Sequence, residues 1–238
     1  MDLLQSIVLG IVQGITEFLP ISSTAHLALI PWFFKWNDPG LAFDVALHIG
    51  TLVAVIYYFW REWVVIIRGL IQGLLSVSFA KNPNGKLGVY IIIATIPGAL
   101  SGFIFEEQAS GILRHPIAIA VSVFFFGVIL YVFDKFSRKE KGISDLNIFD
   151  CLVVGIAQAF AIIPGVSRSG VSITGGLIRL DYATVASPPF IVGILTSALF
   201  GFLSIKYLLR YLQAKTYTVF VIYRVALAAF ILFLYFGR

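Results

Sequence analysis

Residues 10–26 read GIVQGITEFLPISSTAH, and residues 155–176 read GIAQAFAIIPGVSRSGVSITGG. Each stretch is an apolar helical run that stops at a proline and continues into hydroxyl residues, where a charged surface loop would be ordinary. Pro20 ends the first run and Pro164-Gly165 the second. A helix broken inside an apolar segment leaves backbone N–H and C=O groups without intrahelical partners, and lipid offers none. The two broken pairs are therefore expected to be re-entrant hairpins, with irregular tips that face protein or a wet cavity.

Composition identifies the solvent around these helices. Hydrophobic residues make up 59% of the 238 residues and charged residues 12%, with a mean hydropathy of +0.96. Soluble domains carry about 25% charged residues, because a water-facing surface needs them. This chain would leave too much apolar surface in water, so the bilayer is its solvent. Apolar runs read as helices over about 3–19, 21–36, 42–60, 62–80, 86–105, 114–134, 146–163, 168–186, 188–209 and 217–237. The expected fold class is all-α, a polytopic integral membrane protein. The run 62–80, beside Arg61 and carrying Glu62, Arg68 and Gln72, is expected to lie on the membrane surface. Trp32, Trp36, Trp60 and Trp63 fall near helix ends, as an interfacial aromatic belt does.

The net charge of +5 and pI near 9.4 do not point to nucleic acid, because the basic residues sit in short loops and not along one face. The single cysteine, Cys151, closes no intramolecular disulfide and reads as a small packing residue. Met1-Asp2 lacks a basic leader, and the first run carries Glu17 and meets Pro20 without a small-residue cleavage site. That segment is expected to stay with the mature protein.

The two breaks also match each other. Sliding Gly10 onto Gly155 places Ile11 on Ile156, Gln13 on Gln158, Ser22 on Ser167 and Ser23 on Arg168. Both copies end in a polar break, which favours an internal duplication whose halves meet near the bilayer midplane. The chain reads as one transmembrane domain, 1–238, with repeat 1 over about 1–134, a basic cytoplasmic loop 135–145, and repeat 2 over about 146–238. Lys81 and Lys86 flank one connection, and Lys135, Arg138, Lys139 and Lys141 crowd another. Two crossings separate these connections, so both fall on one side, the cytoplasmic side by the positive-inside rule. The loop with Lys206, Arg210 and Lys215 belongs there too. If 146–186 returns to its own side, however, the number of crossings before that loop is odd where the charges ask for even.

Chemistry concentrates at the breaks. Gln13 and Glu17 are four residues apart and share a helix face. Pro20 ends that helix, and Ser22 or Ser23 is placed to cap the next. His26 lies four residues beyond Ser22 and three beyond Ser23, so it can share their face. A carboxylate, hydroxyls and an imidazole thus converge on a helix start, whose N–H groups and dipole suit a phosphate. In the second stretch, Gly165 and Gly170 let backbone approach a ligand, and Ser167 and Ser169 flank Arg168. A guanidinium grips phosphate oxygens through its planar fork. Among apolar helices it is costly unless an anion meets it, either Glu17 or a bound phosphoryl group.

Plainer readings compete for single residues. Glu17 and Arg168 could be a structural ion pair, the serines caps or interhelical glue, and His26 a hydrogen-bonded packing residue. His48 is read as structural, His115 as a loop residue, Asp44 as a capping or dipole residue, and Glu106 and Glu107 as solvated. Taken together, the two polar breaks outweigh these readings. No CxxC, metal-spaced histidine cluster, Walker loop or GxGxxG occurs.

At these residues the chain resembles the undecaprenyl-diphosphate phosphatase family, the bacitracin-resistance phosphatases of bacterial membranes. Supporting stretches are Phe43–Tyr58 (FDVALHIGTLVAVIYY), Ala94–Gly98 (ATIPG) and Tyr223-Arg224. The resemblance implies removal of the terminal phosphate of undecaprenyl diphosphate, which regenerates the lipid carrier of peptidoglycan synthesis. It also implies a divalent cation, Mg2+ or Ca2+, a place in the bacterial inner membrane and a site on the extracytoplasmic face; a homodimer is left open. By position, the family's acidic pair falls on Gln13 and Glu17, its Ser-Ser-x-x-His element on Ser22, Ser23 and His26, and its arginine on Arg168. On this reading Arg168 and backbone N–H groups take the diphosphate, helped by Ser22, Thr24, Ser167, Ser169 and Gly170. Glu17, with Gln13, holds the cation; Ser23 is the candidate nucleophile and His26 its acid–base partner, with direct activation of water by His26 or Glu17 as the alternative.

Two departures from the family pattern stand out. Gln13 takes a place where many members carry glutamate. After Leu180-Asp181-Tyr182 the family continues into a further apolar segment, whereas here Ala186-Ser187 runs into Pro188-Pro189-Phe190. About one crossing, roughly 30 residues, is missing at that junction. A polyprenyl-phosphate transporter or flippase, which would use the same repeats and anion site without chemistry, and a catalytically inactive relative are the competing functions.

Overall fold

The computed structural model describes residues 1–75, 82–104, 114–136, 142, 145–159, 186–212 and 216–237. These contain nine helices: α1 Leu3–Thr16, α2 Ser23–Phe34, α3 Leu41–Tyr58, α4 Trp60–Leu75, α5 Pro83–Ile104, α6 Pro116–Phe136, α7 Ile148–Ala159, α8 Pro188–Leu212 and α9 Thr218–Phe236. Polar and apolar groups exchange their usual places. Gln13 and Ser197 are fully buried, while Phe103 and Phe233 are each 74% exposed. Lipid, unlike water, favours that inversion. Helices α3, α5, α6, α8 and α9 are long and apolar enough to cross a membrane, so the chain is a multi-pass membrane protein, all-helical among the described residues.

Helices α1 and α2, of 14 and 12 residues, rise only about 21 and 18 Å, short of a hydrocarbon core of about 30 Å. They form an antiparallel hairpin. Asp2 opens α1 with a reciprocal cap, its carboxylate accepting from Gln5 N at 2.7 Å, and the chain turns back over residues 17–22. Helix α2 is apolar on every side and is buried accordingly. One face joins Leu9, Phe43, Ala46, Leu47 and Phe190 through Leu27. The other joins Ile119, Ala120, Val123, Ala228 and Ile231 through Ala25 and Leu29.

Helices α1, α3 and α8 run parallel at near backbone contact. Gly10 faces Gly193 and Thr196, and a Cβ on Gly14 would sit 2.7 Å from Gly201 N. Gly50 leaves room for Ser197, whose hydroxyl donates to Leu47 O at 2.9 Å. Small residues are what allow this approach where lipid gives helices no hydrophobic reason to associate. Helix α4 was expected flat on the membrane surface. Instead it packs antiparallel along α5, with Gly69 against Gly85, and Ile66 and Leu70 against Gly88. Helix α7 joins the same group, Gly155 meeting Ala94 O and Pro97. Gln158, the sequence match of Gln13, is exposed where Gln13 is buried.

Two polar contacts label the ends of the bundle. Arg114, leading into α6, pairs with Asp44 at 2.7 Å and Asp38 at 3.0 Å. Burial alone would pull its pKa down, but the two carboxylates more than offset this and raise it. Asp134, near the far end of α6, accepts from Tyr217 N at 3.1 Å at the start of α9. Helix α8 begins at the Arg114 end, where Phe190 packs on Phe43, and finishes with Tyr211 against Phe220. Lys206 and Arg210 therefore lie at the same end as Asp134 and Lys135. Between Phe136 and Pro188 the chain changes ends, so the crossings that the sequence left odd come out even. The second break expected at Pro164-Gly165 lies outside the described residues.

Candidate active site

The hairpin tip gathers the polar residues of the first break. Glu17 still donates its backbone N–H to Gln13 O at 2.9 Å, the last bond of α1. Ser22 then turns the chain with φ 72 and ψ 94, a region that costs a non-glycine residue about 1–3 kcal/mol. Local contacts hold it. Its Oγ accepts from Ala25 N at 3.3 Å and lies 3.4 Å from Thr24 Oγ1, and its carbonyl faces His26 Nδ1 at 2.7 Å. The turn aims Ser23, the first residue of α2, back at α1. Its hydroxyl donates to Glu17 Oε2 at 2.6 Å, a short charge-assisted bond. The same oxygen accepts from Gln13 Nε2 at 3.0 Å, and Gln13 also reaches Thr51 Oγ1 at 3.4 Å. His48 Nε2 stands 3.5 Å from Glu17 Oε2.

A second set of groups closes the tip from α9. A carbonyl can only accept, so His26 Nδ1 carries the proton donated to Ser22 O. Nε2 is then an acceptor, and the Tyr223 hydroxyl donates to it at 2.6 Å. Arg224 donates from Nε to Val123 O at 3.2 Å and from Nη1 to Pro20 O at 3.3 Å. Its fork thus fastens the hairpin tip to α6. Beside His26, an apolar cavity of about 130 Å³ runs between α2 and α9, lined by Leu29, Ile30, Phe33, Leu227 and Phe230 among others.

Several expectations change here. Ser23 and His26 are not hydrogen-bonded partners: the serine faces Glu17, and the histidine faces Ser22 and Tyr223. Both lie on α2, three residues apart, yet the Ser23 hydroxyl meets α1 and the imidazole meets α9. His48, read as structural, lies against the central carboxylate. Asp44 does sit in the first turn of α3, and it also pairs with Arg114 and orients His48, whose Nδ1 meets Asp44 O at 2.7 Å. Asp44, His48 and Thr51 lie four and three residues apart, so they form one polar stripe on an apolar helix, a signal present in the sequence. Arg224 carried a signal too, as an arginine inside an apolar run. Ser167, Arg168, Ser169 and Gly170 lie outside the described residues.

Whether these residues suit a divalent cation can be judged from their chemistry. Among the described residues, no group of three or more His, Cys, Asp or Glu is arranged to hold a metal ion. Gln13 Oε1 and His48 Nε2 are nevertheless buried without hydrogen-bond partners, next to the Glu17 carboxylate. The 3.5 Å between His48 and Glu17 is too long for a hydrogen bond. One anionic oxygen and an orphan amide oxygen fit a hard cation.

The family model described as bacitracin resistance protein BacA matches residues 6–187. A protein of Moorella thermoacetica named undecaprenyl-diphosphatase is 46% identical over 266 aligned residues, covering 100% of both chains. Proteins of the same name from Pelotomaculum thermopropionicum and Desulforudis audaxviator are 40% and 38% identical, covering 94% and 95% of this chain and 93% and 95% of their own.

Proposed function

The chain belongs to the bacitracin resistance protein BacA family, and we propose that it carries out its reaction, hydrolysis of undecaprenyl diphosphate to undecaprenyl phosphate and inorganic phosphate, at the hairpin tip. One observation supports that location above the others. The Ser23 hydroxyl sits 2.6 Å from the Glu17 carboxylate at the start of a helix. The N–H groups of Ser23 and Thr24 have no carbonyl within α2 to pair with, so they receive phosphate oxygens.

Ser23 Oγ attacks the terminal phosphorus while Glu17 Oε2 takes its proton. The bond from that phosphorus to the bridging oxygen breaks, and the lipid monophosphate leaves. Water then attacks the phosphoserine, Glu17 returns its proton to Ser23 Oγ, and inorganic phosphate departs. His26 holds the strained Ser22 carbonyl and, through Tyr223, ties α9 to the tip. Arg168, with Ser167, Ser169 and Gly170, grips the diphosphate, on the strength of sequence alone. Glu17 with Gln13 would hold Mg2+ or Ca2+, which when bound neutralises charge on the phosphoryl oxygens.

The protein lies in the bacterial inner membrane with its tip open to the extracytoplasmic side. Supporting this, Lys206 and Arg210 share the Asp134–Lys135 end of the bundle, whereas the α1–α2 hairpin enters from the Arg114 end. The Ser187–Pro188 junction marks the place of an absent segment. The family match ends at residue 187, and the Moorella alignment spans 266 residues, more than the 238 of this chain.

The test is phosphate release from undecaprenyl diphosphate by purified protein, with Mg2+ and with chelator. Release is expected to need the cation and to fall at least about a hundredfold in Glu17→Gln and in Arg168→Ala. Unchanged release in either variant refutes the site. No release from the intact protein, with lipid movement between leaflets retained, would establish transport instead.

A further inference from the structure

We infer that His48 is a nitrogen ligand of the divalent cation held at Glu17, which makes the site a mixed oxygen–nitrogen seat that accepts a transition ion such as Mn2+. The inference rests on the reading of Glu17 as the cation's carboxylate.

The geometry begins with a fixed tautomer. His48 Nδ1 lies 2.7 Å from Asp44 O, which can only accept, so Nδ1 carries a proton and the neutral imidazole has its lone pair on Nε2. That lone pair faces Glu17 Oε2 at 3.5 Å. A lone pair and a carboxylate oxygen repel one another, yet the Nδ1 bond to Asp44 O keeps the ring in place. His48 is 1% exposed, and its Nε2 has no hydrogen-bond partner among the described residues. Gln13, bonded to the same carboxylate, is fully buried and carries a second orphan, Oε1.

Two electron-rich atoms facing each other across such a gap are what a cation requires. Neighbouring ligands of a six-coordinate ion with bonds of about 2.1–2.5 Å stand about 3.0–3.5 Å apart. The donor set of carboxylate, amide oxygen and imidazole sets the preference. Mg2+ and Ca2+ favour oxygen alone, whereas first-row transition ions also take imidazole. Thr51 supports the arrangement, donating to His48 O at 3.0 Å and accepting from Gln13 at 3.4 Å.

The experiment is electron spin-echo modulation on the full chain in detergent micelles, loaded with Mn2+, together with an Mn2+ binding titration. Modulation from imidazole 14N is expected in the intact protein and should change to the 15N pattern when the histidines are 15N-labelled, without any substitution. It should disappear in His48→Gln and persist in His26→Gln. Mn2+ affinity in His48→Gln should fall at least about tenfold, the range that even outer-shell partners command. Absence of Mn2+ binding, absence of nitrogen modulation in the intact chain, or its persistence in His48→Gln would each overturn the inference. Phosphate release by the intact chain is read separately: if it survives, the proposed reaction stands even where the His48 ligand fails.

Discussion

The 2.6 Å bond between Ser23 and Glu17 makes a quantitative claim about how the two residues combine. If Glu17 is the base that takes the Ser23 proton, neither works without the other. Removing a positioned base costs about 10²–10⁴ in rate, or about 3–5 kcal/mol of transition-state stabilisation. Glu17→Gln and Ser23→Ala should each fall in that range. Independent residues would multiply, giving the double variant a loss of about 10⁴–10⁸, whereas a functional unit leaves it no worse than the poorer single. The assay is single-turnover phosphate release from undecaprenyl diphosphate in micelles, with thermal unfolding recorded in parallel to confirm that each variant folds. His26 bonds to Ser22 and Tyr223, so His26→Gln combined with Ser23→Ala provides a contrasting cycle, expected to be closer to additive. A multiplicative Glu17–Ser23 cycle, or Ser23→Ala within tenfold of the parent, would refute the reasoning.

Other perturbations test the scaffold. Gly14→Ala forces a methyl onto the α8 backbone and should cost about 1–3 kcal/mol, seen as a lower unfolding midpoint in micelles. Arg114→Met leaves Asp44 buried without its cation and should cost about 3–5 kcal/mol, part of it recovered when Asp44→Asn is added; unfolding curves would show both. In a Cys151→Ser background, Lys35→Cys and Lys206→Cys should react with an impermeant thiol reagent from opposite faces of oriented vesicles, Lys206→Cys from the cytoplasmic face; labelling from one face would contradict the end assignment.

The hairpin at residues 10–26 was legible because a proline and a serine pair inside an apolar run leave few folded alternatives. The parallel packing of α8 between α1 and α3 was not. It depends on Gly10, Gly14, Gly50, Gly193 and Gly201 meeting across long separations, and small residues in apolar helices look alike until their partners are known. At the site, Gln13, Glu17, Ser22, Ser23 and His26 could be collected from one stretch of chain. Their pairing could not, because helical spacing places Ser23 and His26 on a common face but says nothing of which neighbouring helix each side chain meets. His48 reads as structural in the sequence for a related reason. A buried histidine is ordinarily satisfied on both nitrogens, and only the three-dimensional arrangement shows that one of them is not.

Serine avoids the backbone angles Ser22 adopts, so that residue behaves like a spring kept compressed by what surrounds it. The restraint comes from afar: the two apolar cores gripping α2, and the Arg224 guanidinium on Pro20 O. Loosening any of these lets the tip relax long before the helices come apart. Mild heating or a harsher detergent should therefore silence the chemistry while the helical content is still intact, and cooling or a return to lipid should restore it.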